Sequence, residues 1–434
     1  MLDHRPTPPA DVLVRGAHVL DPRAGIDARL DVLIRGGEIA EIGTDLQFDG
    51  EVVDGAGKHL FPGFVDPHVH LRTPGQEHKE DLDTGTRSAA AGGFVAVVAM
   101  PNTTPTVDSA PVLRSLRDAA RREARVPVGF MASVTLGLAG DALTEMAELR
   151  ASGALGFTDD GKPVYRAGLL RKALQYQKLV GGVIALHEED PTLSGRGAMH
   201  EGEVSARLGL AGIPSISEST LIERDAAIAR YEGGRIHIQH LSARESVEAV
   251  AEAKARGVQI TCEASPHHLT LTDAALLERL DTRLKMNPPL RTEDDRQALI
   301  EGLKDGTIDC IATDHAPHAR EEKEVPFEEA PMGTTGLETA FAAVYTADIL
   351  PLALVVEKLS AGAALMGLDT PRIEVGRQAN LVLIDLDAEW EVGEAGYESR
   401  SQNCCFAGRT LRGKVVTTIA AGGFVYRERK LAAV

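Results

Sequence analysis

Short segments with alternating apolar and polar positions occupy both ends of the chain. From about residue 12 to about residue 53 the chain reads DVLVRGAHVL and then ARLDVLIRGGEIAEIG, and from about residue 373 to about residue 426 it reads ANLVLIDL and then LRGKVVTTIAAGGFVYRE. Alternation with a period of two around a Gly-Gly pair is typical of β-hairpins. We therefore expect a small antiparallel sheet at the N-terminal end and a similar one at the C-terminal end. The two predicted sheets can pair into one β-sandwich.

The middle of the chain alternates apolar, β-rich segments with amphipathic helical segments. The apolar segments lie near residues 65, 96, 130, 156, 185, 238, 260 and 312, and segments such as VLRSLRDAARREA and RESVEAVAEAKARG separate them. Parallel strands covered by helices show this pattern. Eight repeats favour a closed (β/α)8 barrel, also called a TIM barrel, over an open sheet. We predict an α/β protein with residues 1–60 and 366–434 in the sandwich and residues 61–365 in the barrel.

The composition and net charge of the chain limit the classes of molecule that it is expected to bind. The 434 residues are 43% hydrophobic and 25% charged, and 64 acidic against 46 basic residues give a net charge of -18. A strongly acidic chain does not favour nucleic acid, so an anionic small molecule must be held by local cations. The N-terminus lacks an apolar signal segment and no long apolar run predicts a membrane span, so we expect a cytoplasmic protein. The four cysteines show no Cys-x-x-Cys spacing and are expected to be reduced.

Residues that can bind metal collect at the ends of the predicted barrel strands. His68 and His70 are two positions apart at the end of the first strand, so their imidazoles are expected on one face. Later strands end in further candidates: Asp160, His187, His240 and Asp314. Imidazole and carboxylate groups suit Zn²⁺, and this number of them could hold two ions. Active sites of such barrels lie at the carboxyl ends of the strands, so we predict a zinc centre there.

Arg72 follows the first pair of histidines and adds a positive charge beside the predicted zinc centre. Two residues beyond His70, its side chain is expected on the same strand face. A guanidinium there can hold a substrate carboxylate through two hydrogen bonds. The alternative is a surface salt bridge without a role in binding.

Several motifs carry a family resemblance. They are DPHVHLRTPG at 66–75, MPNTTP at 100–105, ATDHAPHAREEK at 312–323, and GFTDDGKPV, HLSA and KMNPPLR between them. Together they resemble the amidohydrolase superfamily and, within it, the long bacterial class I dihydroorotases. The resemblance extends over nearly the whole chain. It implies reversible cyclisation of N-carbamoyl-L-aspartate to dihydroorotate in pyrimidine biosynthesis.

The resemblance also assigns roles to individual residues. It implies one or two zinc ions, with two favoured, held by His68, His70, Asp160, His187, His240 and Asp314. Asp160 would bridge the ions, because no lysine precedes Lys162 on the fourth strand to serve as the carboxylated bridge found in many relatives; Asp159 is the adjacent alternative. Asp314 would act as general base and then general acid. The substrate would contact Arg72, Asn102, Asn287 and His318.

Other functions remain open from the sequence. Allantoinases have similar motifs but tend to have Asn in place of Arg72. Hydantoinases use the carboxylated lysine, so both enzyme classes are weaker alternatives. An inactive subunit that only scaffolds aspartate transcarbamoylase is expected to lose metal ligands, which are all present here. Class I relatives imply a homodimer or a complex with aspartate transcarbamoylase.

Three further features have no fixed role at this level. His237 and His315 are expected to support neighbouring ligands or to pack, and His267-His268 has an open role. The charged segment 318–336, interrupted by Pro and Gly, suits a mobile loop that closes over the substrate.

Overall fold

We describe residues 2–427 of a computed structural model; the last seven residues of the predicted segment 366–434, and Met1, lie outside that range. In chain order the strands are β1 (Val12–Asp21), β2 (Ile26–Arg35), β3 (Glu38–Gly43), β4 (Glu51–Asp54), β5 (His59–Pro62), β6 (Phe64–Val69), β7 (Phe94–Ala99), β8 (Val128–Phe130), β9 (Phe157–Thr158), β10 (Ile184–Leu186), β11 (Met199–His200), β12 (Gly212–Ile213), β13 (Arg235–Ile238), β14 (Gln259–Ala264), β15 (Cys310–Ile311), β16 (Leu381–Glu391), β17 (Thr410–Ala420) and β18 (Gly423–Arg427).

Eight parallel strands form the barrel. β6, β7 and β8 pair in one run, and β9, β10, β13, β14 and β15 pair in a second. Parallel bridges between Ala132 and Phe157 and between Val69 and His315 join the two runs at both ends. The ring therefore closes in chain order, and the predicted (β/α)8 barrel is confirmed.

Helices cover the outside of the barrel and line its mouth. They are α1 (Leu82–Ala91), α2 (Ala110–Glu123), α3 (Met146–Ala151), α4 (Ala167–Val180), α5 (Pro191–Ser194), α6 (Glu203–Leu208), α7 (Ile216–Glu232), α8 (Arg244–Ala255), α9 (Pro266–Thr270), α10 (Ala275–Glu278), α11 (Glu293–Asp305), α12 (Arg320–Lys323), α13 (Ala340–Thr346), α14 (Leu352–Ser360) and α15 (Gly362–Leu365). α14 packs against both β15 and β6, so it covers the seam where the ring closes. No helix among residues 2–427 is long and apolar enough to cross a membrane.

Strands from both chain ends join one eight-stranded sheet, which confirms that the second unit is built from the two ends. Its order is β18-β17-β16-β5-β1-β2-β3, and β4 also pairs with β1. The prediction of a purely antiparallel N-terminal sheet is wrong, because β4 and β5 run parallel to β1. After the β2–β3 hairpin the chain crosses to the other edge of β1, where both strands add in the direction of β1. The exact boundaries at residues 60 and 365 stay a prediction.

An aromatic cluster connects this sheet to the barrel. Phe61 of β5 lies 5.8 Å from Phe341 of α13, measured between ring centroids, and Phe341 stacks at 5.7 Å on Phe64 of the first barrel strand. All three rings are buried. Aromatic pairs of this kind add about 0.5–1.5 kcal/mol each beyond their burial, so the sheet and the barrel share one core.

Candidate active site

The six predicted metal ligands come from five different strands and meet at one end of the barrel. His68 lies in β6 and His70 directly after it, and the others follow β9, β10, β13 and β15 by one to three residues. All six are buried, with at most 7% of any of them exposed: His68, His70, Asp160, His187, His240 and Asp314. The barrel geometry therefore brings together residues that are up to 246 positions apart, from 68 to 314.

The first group of ligand atoms lies around two carboxylates. Nε2 of His68 lies 3.2 Å from Oδ1 of Asp160 and 3.5 Å from Oδ1 of Asp314. Nε2 of His70 lies 3.4 Å from Oδ2 of Asp160 and 3.1 Å from Oδ1 of Asp314. Tetrahedral ligands bound to zinc at about 2.0 Å lie about 3.3 Å apart, so these spacings suit a shared ion.

Hydrogen bonds on the far side of each ring indicate which nitrogen is free. Nδ1 of His68 lies 2.6 Å from a carboxylate oxygen of Glu263, which can only accept, so the proton of His68 belongs on Nδ1. Nδ1 of His70 likewise donates to Oδ1 of Asn102 at 2.9 Å, since the amide nitrogen of Asn102 donates to Asp160. Both Nε2 atoms then face carboxylates with a lone pair, and Nε2 of His68 has no hydrogen-bond partner among the described residues. A cation between these atoms would satisfy all of them.

The second group shares Asp160 with the first. Nδ1 of His187 and Nε2 of His240 approach to 2.9 Å, and Nε2 of His240 lies 4.0 Å from Oδ1 of Asp160. Within residues 2–427, the groups able to hold a metal ion are His68 with His70 and Asp160, and Asp160 with His187 and His240. Asp160 thus belongs to both groups of potential ligands.

The charges in the cluster follow from its burial and its mixed composition. Burial opposes ionisation of Asp160 and Asp314, but the neighbouring imidazoles of His68 and His70 outweigh it and hold the pKa of both carboxyls well below the ordinary value. Burial also opposes a charged His68, yet Asp160 and Glu263 raise its pKa well above the ordinary value. Carboxylates that stabilise a positively charged imidazole in this way would also stabilise a metal ion, which competes with protons for the same nitrogens.

Asp159 faces away from the cluster. Its carboxylate accepts hydrogen bonds from the backbone nitrogen of Thr135, at 2.9 Å, and from the hydroxyl of Thr135. Burial raises its pKa. Of the two adjacent carboxylates, only Asp160 therefore lies among the histidines.

Two acidic residues without a predicted role, one buried and one half-buried, contact the histidines on the side away from the cluster. Glu263, in β14, contacts His68 and also accepts from Nε2 of His237 at 3.1 Å, which gives His237 the supporting place expected for it. Glu189 lies 3.3 Å from Nε2 of His187; partial burial opposes its ionisation, but the contact with His187 outweighs burial and lowers its pKa to about 2. A glutamate inside an otherwise apolar strand, as in QITCEA, is the sequence signal that could have identified Glu263.

We expect Glu263→Gln to weaken zinc binding about 10- to 100-fold, because a neutral amide orients His68 without raising its basicity. The dissociation constant, measured by competition with a chelator, checks this expectation. Glu188→Gln is the matched control: Glu188 is also a buried glutamate near a strand end, but it faces Asp225 and Arg224. Equal zinc affinity of the Glu263 variant and the wild type would rule out this supporting role.

Backbone strain marks three residues of the site. Arg72, His240 and Asp314 have φ angles of 59°, 32° and 47°, in the left-handed region that residues other than glycine rarely adopt. Such a backbone conformation persists where the surrounding contacts stabilise it enough to offset its cost, and it is frequent at functional sites. The prediction that strand alternation places the Arg72 side chain is wrong, because β6 ends at Val69.

Arg72 is a buried cation that forms no salt bridge with the acidic side chains of residues 2–427, although the charges of Asp314 and Asp160 partly offset its burial. Its residue is 8% exposed, its Nε donates to the carbonyl oxygen of Pro317 at 3.0 Å, and none of the acidic side chains in residues 2–427 pairs with it. Burial lowers its pKa to about 10. A desolvated guanidinium is costly unless it is paired, so an anion supplied by a ligand would complete this position.

The remaining predicted substrate residues surround the same cavity. It has a volume of about 220 Å³ and is lined by His70, Arg72, Asn102, Asp160, Gly161, His187, His240, Asn287, Asp314, Ala316, His318, Met332 and Gly333. The amide nitrogen of Asn287 donates to Glu189 at 2.5 Å, and Nε2 of His318 donates to the carbonyl of Met332 at 2.9 Å. Burial and the charges of Arg72 and Lys323 lower the pKa of His318 to about 3, so its imidazole is neutral. Nine of the ten predicted site residues thus line one cavity, and the tenth, His68, lies beside Asp160 and Asp314 behind its wall.

The segment 318–336 is packed against the barrel mouth. Lys323 is buried, and its Nζ donates to the carbonyls of Thr282 at 3.0 Å and Pro331 at 2.7 Å. Phe327 and Ala330 are buried as well. These contacts show where the segment lies in one state, and its closure on substrate stays a prediction.

Comparison with known proteins places the chain in a family. A family model described as dihydro-orotase-like matches residues 57–246. The dihydroorotase of Trichlorobacter lovleyi is 43% identical over 425 residues, which cover 96% of this chain and all of that one. The dihydroorotase of Pelotomaculum thermopropionicum is 45% identical over 424 residues, with 96% and 99% covered.

Solved structures show the same architecture. The L-hydantoinase (dihydropyrimidinase) of Arthrobacter aurescens superposes with a TM-score of 0.85 at 25% identity, covering 98% of this chain and 97% of that one. The dihydropyrimidinase of Brevibacillus agri gives a TM-score of 0.82 at 25% identity, with 96% and 95% covered. Near full-length identity to the dihydroorotases exceeds that to the hydantoinases by a wide margin. The chain therefore belongs to the dihydroorotase family of the amidohydrolase superfamily.

Proposed function

We propose that the protein is a zinc-dependent dihydroorotase, which interconverts N-carbamoyl-L-aspartate and dihydroorotate in pyrimidine biosynthesis. The observation that carries the proposal is the unpaired, buried guanidinium of Arg72 beside a cluster of four imidazoles and two carboxylates. Dihydroorotate joins a cyclic amide to a carboxylate; the amide would lie at the cluster of metal ligands and the carboxylate at Arg72. Family membership at 43–45% identity supports the same reaction.

The four histidines with Asp160 and Asp314 would hold one or two zinc ions, and two are favoured because Asp160 belongs to both ligand groups. Zinc bound there would polarise the amide carbonyl and lower the pKa of a water molecule to about 7. Asp314 accepts the proton of the attacking water and delivers it to the ring nitrogen as the amide C–N bond breaks. Its lowered pKa keeps Asp314 ionised at neutral pH, as a general base must be. Ring closure follows the same steps in reverse.

The chain's own polar groups orient the ring. Arg72 binds the substrate carboxylate, and the amides of Asn102 and Asn287 can hydrogen-bond the carboxylate or the edges of the ring. His318 lines the same cavity, and its Nε2 N–H would reach the substrate by exchanging its bond to the carbonyl of Met332. Holding the ring in this way fixes the amide carbonyl near the carboxylate of Asp314. The reacting groups then need not meet by diffusion, which lowers the entropic part of the activation barrier.

We expect Arg72→Met to reduce kcat/KM for dihydroorotate about 100-fold, because it removes the cation that pairs with the carboxylate inside a buried site. Steady-state kinetics on dihydroorotate, allantoin and a 5-substituted hydantoin measure the effect. The wild type should prefer dihydroorotate, and the variant should lose that preference. A wild type that turns over allantoin or the hydantoin better than dihydroorotate would favour another cyclic amidohydrolase.

An inactive scaffold for aspartate transcarbamoylase is the alternative from a different class. A well-folded protein that binds no metal and hydrolyses no dihydroorotate would support it. We further propose a cytoplasmic homodimer that can associate with aspartate transcarbamoylase. Light scattering of the purified protein, alone and mixed with that enzyme, tests the assembly, and a monomer that does not associate would contradict it.

A further inference from the structure

The connection between β16 and β17 reaches from the chain-end sheet to the mouth of the barrel. It spans residues 392–409, and three of its polar residues are buried there: Ser399, Ser401 and Asn403. Ser399 contacts Glu80, and the hydroxyl of Ser401 donates to the carbonyl of Lys79 at 2.7 Å. Residues far along the chain therefore contact the segments that follow the first barrel strand, close to the site.

Asn403 uses its whole amide group on the backbone of two other segments. Its Oδ1 accepts from the backbone nitrogen of His318 at 3.1 Å, and its Nδ2 donates to the carbonyls of Ala316 at 3.0 Å and Gly333 at 3.1 Å. The residue is 3% exposed. A buried amide with three such bonds fixes the relative position of the peptides it joins.

The peptides that Asn403 joins line the part of the cavity next to Arg72, where we propose that the substrate carboxylate binds. Ala316, His318 and Gly333 all line it, and the intervening Pro317 carbonyl accepts from Nε of Arg72. Gly333 has a φ of 137°, and a Cβ there would lie 2.8 Å from Cβ of Ala316, so the two segments are in close contact. The position of the Arg72 guanidinium therefore depends on a segment that Asn403 holds.

We propose that Asn403 is a positioning residue for substrate-carboxylate binding, which acts through the Ala316–His318 peptides on Arg72. The inference rests on the proposed dihydroorotase function. Without the amide, the peptides after β15 and the Gly333 segment lose their cross-link, and Arg72 loses its fixed acceptor. Binding of the carboxylate then weakens, while the proton transfers at Asp314 continue.

Two variants of Asn403 test this proposal. Asn403→Ala removes all three hydrogen bonds, and Asn403→Asp keeps the acceptor for His318 but removes both donors. For each we expect KM for dihydroorotate to rise about tenfold with kcat within about twofold of the wild type, the signature of lost uniform binding. Ser401→Ala is the matched control, since it removes a buried hydrogen bond of the same connection without touching the peptides at the cavity, and its KM should stay unchanged.

A double variant distinguishes positioning from general destabilisation. If Asn403 acts through Arg72, KM of Arg72→Met combined with Asn403→Asp equals that of Arg72→Met alone, whereas independent effects multiply. The proposal would be overturned by a wild-type KM in both Asn403 variants or by an equal rise of KM in Ser401→Ala. Effects on KM that multiply in the double variant would also overturn it. Absence of dihydroorotate hydrolysis by the wild type would instead refute the proposed function, so the two failures are distinct.

Discussion

Asp314→Asn is expected to reduce kcat for dihydroorotate hydrolysis about 10³-fold, since general acid–base catalysis contributes about 10²–10⁴-fold. Asparagine keeps the shape of the side chain but cannot accept the proton of the attacking water. It also tolerates the left-handed backbone found at this position, where φ is 47°, so the fold should be retained. The loss should appear in kcat and kcat/KM together.

The measurement is steady-state hydrolysis followed by ultraviolet absorbance, with the zinc content and the melting temperature of the same sample. Retained zinc and an unchanged melting temperature would assign the loss to proton transfer. A kcat close to that of the wild type would remove Asp314 from this step and leave it as a metal ligand only.

Asp160→Asn is expected to abolish activity by removing the carboxylate that both ligand groups share. Its two oxygens lie 3.2 Å from His68 and 3.4 Å from His70, and one of them lies 4.0 Å from His240. A neutral amide is a much weaker zinc ligand and offers only one oxygen. The variant should therefore bind less zinc per chain than the wild type, even when zinc is in excess over the protein.

Asp159→Asn is the matched control for this variant, because it changes an adjacent buried aspartate that binds Thr135 and faces away from the histidines. Zinc content by elemental analysis and turnover of dihydroorotate should be near wild type in the control and lost in Asp160→Asn. The reverse result would move the bridging role to Asp159.

The sequence was sufficient to predict the fold and the convergence of the ligands. Buried parallel strands produce apolar runs that are easily recognised, and the carboxyl ends of barrel strands meet at one face. Once eight strands were assigned, His68, His187 and His240 had to lie near one another, and the structure brings them together.

Other parts of the site depend on contacts that local patterns do not encode. The left-handed backbone of Arg72 ends the alternation that was expected to orient its side chain. Glu263 supports His68 from 195 positions away, and Asn403 contacts Gly333 across 70 positions. The parallel pairing of β4 and β5 with β1 likewise depends on where the chain crosses the sheet. The alternation of apolar and polar residues within each strand does not reveal it.

The most direct test of the account is a zinc titration of metal-free protein with dihydroorotate hydrolysis measured at every step. We expect no turnover without metal, and activity that rises in proportion to bound zinc until one or two ions per chain are held. Full activity of the metal-free protein, or zinc bound at that stoichiometry without any turnover of dihydroorotate, would contradict it.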